Sequence, residues 1–365
     1  MSDLYGPIKA SIFDRRGVQM DELPGVPFNC TWTSNGAGPA EMVLSARHDA
    51  RSRQSLINFA SIVEFHHARL GRWAGVLDAD SGVDWSGSGE MMIKLRSGFI
   101  QFSKRRTPLF NVEDSSLYLN TSASDAMRRL IAWANAPEDT RLRAYDVDNV
   151  PFHVMVKLQG VMMNEAVSAM LAKRRNSMMA WTESGRDDSN HLVFNVSLYP
   201  STFGRYSGYV LEEDINLETP SSIFARYIGA GLANDVMATN MGETDGGYLR
   251  ENSIDPVSIG ENGLYQATEQ LSTDSSDALK LVADSNLKLR SWPKYQLLLT
   301  AVETPESPDT FAHLRVGKVV RVLLHSVGFQ RSRNKGVDTK VIIKSIEYSS
   351  IENKVMLTAD TLDPV

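Results

Sequence analysis

The chain has 365 residues, 42% of them hydrophobic and 22% charged, with a formal net charge of −6. That length supports two or more domains, each burying its own core. No apolar run approaches the roughly 18–20 residues of a membrane-spanning helix, and a single cysteine, Cys30, excludes an intrachain disulfide.

The N-terminal residues carry an early acid and no uninterrupted apolar stretch, so they do not read as a signal peptide. The expectation is a protein folded in a cytoplasm, without membrane insertion by itself. Cys30 has no histidine and acid arranged around it in sequence, and reads as a small buried strand residue. The negative charge is concentrated. Residues 242–277 hold eight acids against one base, Arg250. Such a segment argues against a nucleic-acid grip, which needs clustered cations to displace counterions. The short basic runs 104–106 and 173–175 read as a solvated strand end and a solvated helix face.

In chain order, the first 120 residues read as β structure. Short segments at 27–33, 41–46, 74–77, 91–95 and 117–120 are rich in branched and aromatic residues, with Gly, Asn, Asp and Ser between them. Helical periodicity follows at 125–134, with Met127, Leu130, Ile131 and Ala134 on one face and Ser122 or Ser124 as cap. A second helix is expected from Met163 or Asn164 to Lys173, and a strand at 191–199. Further helices are expected at 222–232 and at 275–283, the latter capped by Ser272, Thr273 or Asp274. Between them the acidic stretch reads as a long surface loop or an insertion. The chain then returns to strands at 295–302, 318–324, 339–348 and 354–358.

The search for chemistry finds no assigned site. The loop Asp78-Ala79-Asp80-Ser81-Gly82-Val83-Asp84 fails the spacing of a calcium-binding EF-hand, and turn chemistry explains its composition. A looser calcium site on Asp78, Asp80 and Asp84 is the alternative. No phosphate-binding glycine loop and no nucleophile elbow occurs. His66 and His67 are adjacent, so their rings point apart on a helix or a strand. No catalytic residue, cofactor or metal is assigned, although a pair of sugar-cleaving carboxylates need not be close in sequence.

Features in three regions of the chain resemble one family. Trp73-Ala74-Gly75-Val76-Leu77 is similar to a G-x-W-x-G-V-I-like strand of tailed-phage hub proteins. The helix at 125–134, with its trailing Ala144-Tyr145-Asp146-Val147-Asp148-Asn149, occupies a similar place. Leu314-Arg315-Val316-Gly317-Lys318-Val319-Val320-Arg321-Val322 resembles the family's L-x-V-G-D-x-V-R-V strand entry, with Lys318 where an acid is commoner. The closing pair, 341–348 and 355–358, resembles I-x-x-I-x-Y followed by V-x-L-T.

The resemblance implies the baseplate hub or tail-associated protein of a long-tailed phage or phage-like particle. The implied fold class is α+β and β-rich: two tail-tube-like β-barrel domains with α/β domains between them. Residues 1–120 would form the first barrel, 121–200 and 222–294 the α/β domains, and 201–221 with 295–365 the second barrel. It further implies a homotrimeric ring at the tip of the tail, a structural virion protein assembled in the host cytoplasm. Its partners would be tail tube, distal tail and tail fibre or tip proteins, with DNA passing through unbound.

On that reading the 78–84 loop is a hairpin tip. Trp73, Trp85, Asp78, Asp80 and Asp84 are candidate interface residues. Glu212, Glu213, Asp214, Glu243 and Asp245 would face the lumen and repel DNA, or sit on a solvated loop. Two alternatives stand beside it. One is a tail-borne cell-wall or polysaccharide hydrolase, against which the chain's end at Val365 leaves no room for an appended lytic domain. The other is a receptor- or carbohydrate-binding β protein using Trp73, Trp85 and Trp181 as stacking platforms.

Overall fold

The structure is a computed structural model. It describes residues 9–45, 62–77, 83–85, 87, 89–108, 118–147, 150, 153–157, 160–172, 178–200, 205–218, 224–228, 231–240, 249–271, 275–292, 294–325 and 336–362. The chain divides into two compact units, residues 1–223 with 298–359 and residues 224–297 with 360–365.

The first unit opens with β1 (Lys9–Phe13), β2 (Gln19–Pro24), β3 (Phe28–Thr33) and β4 (Pro39–Leu44). Next come β5 (Ile62–His67), β6 (Gly71–Leu77), β7 (Val83–Trp85), β8 (Met91–Ser97) and a 3-10 helix at Gly98–Lys104. Then follow β9 (Tyr118–Ser122), α1 (Ala123–Asn135), β10 (Leu142–Asp146), β11 (His153–Lys157) and α2 (Met163–Ala172). Strands β12 (Met178–Arg186), β13 (Leu192–Pro200) and β14 (Arg205–Glu212) complete this part. The second unit contributes β15 (Phe224–Ile228), β16 (Asp235–Asn240), β17 (Arg250–Ile254), α3 (Pro256–Asn262), β18 (Gln266–Leu271) and α4 (Ser276–Arg290). After β19 (Lys294–Ala301) the chain ends with β20 (Lys318–Leu324), β21 (Val337–Ser349) and β22 (Lys354–Thr361).

The protein is α+β and β-rich. In the first unit, β2, β1, β5, β6, β8, β4 and β3 lie side by side, and β3 pairs onward to β21. The 13-residue β21 is the hinge of this arrangement. Its first half, Val337–Ile342, pairs antiparallel with β20, which carries β14 on its other side. Its second half, Ser345–Ser349, pairs antiparallel with β3. One strand, about 40 Å long at the usual rise per residue, therefore belongs to two sheet halves. Burial alternates along β4, β8 and β22, as expected for sheets with one face inward. Among the described residues no sheet closes into a barrel. The expected barrels stand, among the described residues, as two open sheet halves joined through β21.

Helices α1 and α2 pack with β9–β13 in one core. Ser122 caps α1 by accepting from the Asp125 amide at 3.1 Å. The inward face of α1 presents Met127, Leu130, Ile131 and Ala134, which meet Val167 and Met170 of α2 and Leu192, Phe194, Val196 and Leu198 of β13. This face is the one the 3.6-residue period predicts. Cys30 is 1% exposed, and burial pushes its thiol well up.

The second unit is a small mixed sheet, β17-β16-β18, with α4 packed on it. Leu279 and Ala283 of α4 bury against Ala238 of β16. Two sequence expectations are corrected here. Residues 224–228 form a strand, where a helix was expected over 222–232. A short apolar run satisfies either period, and pairing partners decide it. The acidic stretch is also not simply a long loop, since it contains β17, α3 and β18. Asp255 caps α3 by accepting from the Ser258 amide, with Pro256 at the first turn, and this start signal marks the helix. Helix α4 starts later and runs further than expected, capped by Ser275 and closing on Lys288 and Arg290, where cations suit the helix dipole.

The Trp73-Ala74-Gly75 stretch has a packing reason. A Cβ on Gly75 would lie 2.3 Å from the Arg96 carbonyl of β8 and 2.4 Å from the Trp73 ring. Only glycine lets the backbone approach both. Gly75→Ala is expected to lower stability by about 1–3 kcal/mol, read as a drop in the urea midpoint without a change in slope.

Candidate functional site

For a protein whose sequence offers no catalytic motif, the informative surfaces are the sheet edges, the charged clefts and the networks that fix them. The sheet halves meet along an aromatic chain. Trp73 lies 5.5 Å from Phe65, Phe65 stacks on Phe28 at 4.2 Å, and Phe28 lies 5.8 Å from Tyr348. Tyr348 then meets His67 edge-on at 4.8 Å, and His67 lies 6.0 Å from Phe311. The rings come from β3, β5, β6, β21 and the short turn at Thr310–His313, so they join the N-terminal and C-terminal strands.

Trp73, expected at an interface, is corrected to a core residue. It is 2% exposed and donates through Nε1 to the Thr31 carbonyl at 3.0 Å. Asp78 and Asp80 lie outside the described residues. Asp84 sits on β7, exposed, with its carboxylate 3.0 Å from Lys94 Nζ. The backbone of Trp85 pairs with Met91, so a hairpin does form there. Among the described residues no cluster of acids, histidines and cysteine is arranged to hold a metal.

The acidic candidates divide in the same way. Glu213 is corrected from a lumen-facing acid to a buried one: it is 2% exposed, and accepts from the His325 amide at 2.6 Å. Glu212 lies 3.1 Å from His325 Nε2, and Asp214 occupies an exposed turn with φ 68°. Glu243 and Asp245 lie outside the described residues.

A polar cleft of about 380 Å³ opens on the outer side of β1, β2, β5 and β6, lined by Lys9, Glu22, Glu64, His66, Arg72 and Arg186 among others. Glu64 is its anchor. Only 4% exposed, it accepts two bonds from Arg186 at 2.6 and 3.0 Å and one from the Ser184 hydroxyl. Arg186 also lies 5.0 Å over the Phe13 ring. This bidentate pair ties β12 to β5, and sequence periodicity cannot show it because the partners are 122 residues apart.

The β5–β6 turn is held from the C-terminal side. Arg69 Nη1 reaches Glu303 at 2.8 Å, and the Arg69 carbonyl accepts from Arg315 at 3.0 Å. His67 fixes the same turn, its Nδ1 accepting from the Arg69 and Leu70 amides at 3.2 and 3.0 Å. The neutral ring therefore carries its proton on Nε2. Burial, then His66, Arg69 and Arg315, push its pKa down to about 4. The adjacent His66 points to the cleft instead, as alternation along a strand requires.

Two measurements check these networks. Arg186→Ala leaves the nearly buried Glu64 carboxylate with only the Ser184 hydroxyl and the more distant Arg72, 3.8 Å away, and is expected to cost about 3 kcal/mol, with Glu64→Leu in the same chain recovering part of it. A double-mutant cycle by urea unfolding reads both values. His67 takes its proton more readily in the unfolded chain, at the ordinary 6.5, than in the folded one. Its contribution is complete above pH 6.5 and declines as pH falls through about 4, a loss of about 3 kcal/mol. Over that window the pH dependence of unfolding should flatten in His67→Gln relative to the unaltered chain.

No protein-family model matches the sequence, and no curated protein sequence matches it. Solved structures do. The 43 kDa tail protein of prophage MuSo2 from Shewanella oneidensis is similar with a TM-score of 0.58 and 13% identity, over 96% of this chain and 98% of that one. The tail protein from Neisseria meningitidis MC58 is similar with a TM-score of 0.57 and 14% identity, over 97% and 96%. Prophage tail protein gp18 from Listeria monocytogenes EGD-e is similar with a TM-score of 0.56 and 12% identity, over 97% and 94%. Across almost its whole length, this chain has the fold of these prophage tail proteins.

Proposed function

We propose that this chain is a structural hub of a phage or phage-like tail, a homotrimeric ring at the tip that joins the tail tube to tip or fibre proteins and lets DNA pass. The observation that carries this reading is the pair of sheet halves joined through β21 within a fold shared end to end with prophage tail proteins. On this reading two sheet halves in each of three copies give the ring six sheet segments.

The edges suit a head-to-tail contact between copies. Among the described residues β2 pairs only with β1, and its outer edge carries Asp21, Glu22 and the exposed Met20. Strand β14 pairs only with β20, and Tyr206 is exposed there with Lys340 Nζ 5.2 Å from its ring. Lys340, reaching Tyr206 from β21, puts a cation beside the second edge, which is complementary to the acids of the first. Among the described residues, Asp214 is the exposed acid of the expected lumen-facing set. On this reading the ring needs no catalytic residue, and the hydrolase alternative has no residues assigned to it.

Light scattering on the purified chain, alone and with a tail-tube protein, tests the proposal. Three times the monomer mass of 40.5 kDa, with a central hole in electron micrographs, is the expected result. Tyr206→Glu should return the particle to monomers without lowering its melting temperature. A monomer under every condition, or hydrolysis of cell-wall material by the pure chain, would sink the hub reading.

A further inference from the structure

A second cleft, of about 300 Å³, lies on the outer face of the three-stranded sheet β10-β13-β12 and takes no part in the networks above except through Arg315. Its floor is set by register. Trp181 on β12 and Tyr199 on β13 stand on the same face and stack at 5.4 Å. Its wall is the 315–318 segment that leads into β20. Gly317 has φ 80°, and a Cβ there would lie 2.7 Å from the Trp181 ring, so glycine lets this wall close on the indole.

The third side comes from a β-bulge. Ala144 pairs with Val196 and Asp146 with Ser197, which leaves Tyr145 as the extra residue. The bulge turns Asp146 to the face of Ser197 and Tyr199, where its carboxylate accepts from the Tyr199 hydroxyl. Tyr145 lines the same cleft and is 67% exposed. Without the bulge, Asp146 would point into the core side of the sheet.

The polar groups are built in and incompletely used. Ser197 is 3% exposed, lines the cleft, and its hydroxyl has no hydrogen-bond partner among the described residues. Arg315 spends its hydrogen bonds on the carbonyls of Phe311, Leu314 and Arg69, and the Glu183 carboxylate of the same cleft acts on it through its charge. Glu183 accepts from Trp181 Nε1 at 3.3 Å. Asp146 and Glu183 balance Arg315 and Lys318, so the lining as a whole carries no net formal charge.

We infer that this cleft is a binding site for a neutral saccharide of about one or two rings, a volume at the lower end of small-molecule sites. The exposed Tyr145 ring offers a flat apolar face to the C–H face of a sugar. Ser197, Glu183 and Arg315 offer the mixture of donor and acceptor that hydroxyl groups require, each sugar hydroxyl being both. The balanced charge disfavours a strongly ionic ligand. The site is independent of the ring proposal, since every group in it belongs to one copy.

Saturation-transfer NMR on the full chain with maltose, cellobiose, N,N′-diacetylchitobiose and lactose tests this. At least one of these sugars is expected to receive saturation from the protein. Tyr145→Ala and Glu183→Gln should each weaken that binding about tenfold, the loss from one well-made contact, at an unchanged melting temperature. Tyr145 is 67% exposed, which makes the first variant safe for folding. Absence of signal from all four sugars would overturn the inference. So would a signal that both variants leave intact, or binding of a proline-rich peptide in place of every sugar.

Discussion

The pairing of β3 with β21 is the interaction on which the first unit depends. It places residues 29–33 beside residues 345–349 and so closes a loop of more than 300 residues, an expensive contact in chain entropy. What offsets that entropy is the burial concentrated at the seam. Phe28, Phe65, Trp73, Tyr348 and Phe311 are each almost fully buried there, and aromatic side chains bury more apolar area than any others. The hydrogen-bonded ladder sets the register, and the rings make any other register leave large gaps.

Polar groups at the seam add specificity instead of bulk stability. The Arg186–Glu64 pair, the Arg69–Glu303 pair and the Arg315 bond to the Arg69 carbonyl all join segments far apart in sequence. A buried ion pair contributes little against an apolar pair of the same size, yet it penalises every arrangement that leaves one partner alone. Burial raises the carboxyl of Glu303 and lowers the guanidinium of Arg315, so both charged forms persist against desolvation. The neutral His67 serves the same end by accepting two amides of the β5–β6 turn. These groups fix the β5–β6 turn, which carries Trp73 into the core and Arg72 to the outer cleft.

Much of the local structure was legible in the residues. The α1 face, its Ser122 cap, and the β20, β21 and β22 strands follow from period and punctuation, because these signals act over a few residues. The resemblance to tail hub proteins rested on short motifs of the same kind. The strand at 224–228 and the elements inside the acidic stretch were not legible, since short apolar runs satisfy both periods and a cap such as Asp255-Pro256 is easily passed over in a polar segment. The site residues fared less well. Trp73 and Glu213 look like surface groups in sequence and are core groups in the fold. The cleft beside Tyr145 had no signal at all, because its residues come from four separated stretches and a single bulge aligns them.

By itself the sequence determined the β-rich α+β class, the positions of the stronger helices and strands, and the absence of any disulfide or of an apolar run long enough to span a membrane. All of these follow from composition, period and turn chemistry, which are properties of neighbouring residues. Only the tertiary structure decided that one strand, β21, serves two sheet halves, that Glu64 and Arg186 meet across the unit, and that Trp73 is buried while Tyr145 is exposed. The physical reason is the same for each. Which face of a strand is covered depends on strands that arrive from elsewhere in the chain, and neither hydrophobicity nor period records who the neighbour is.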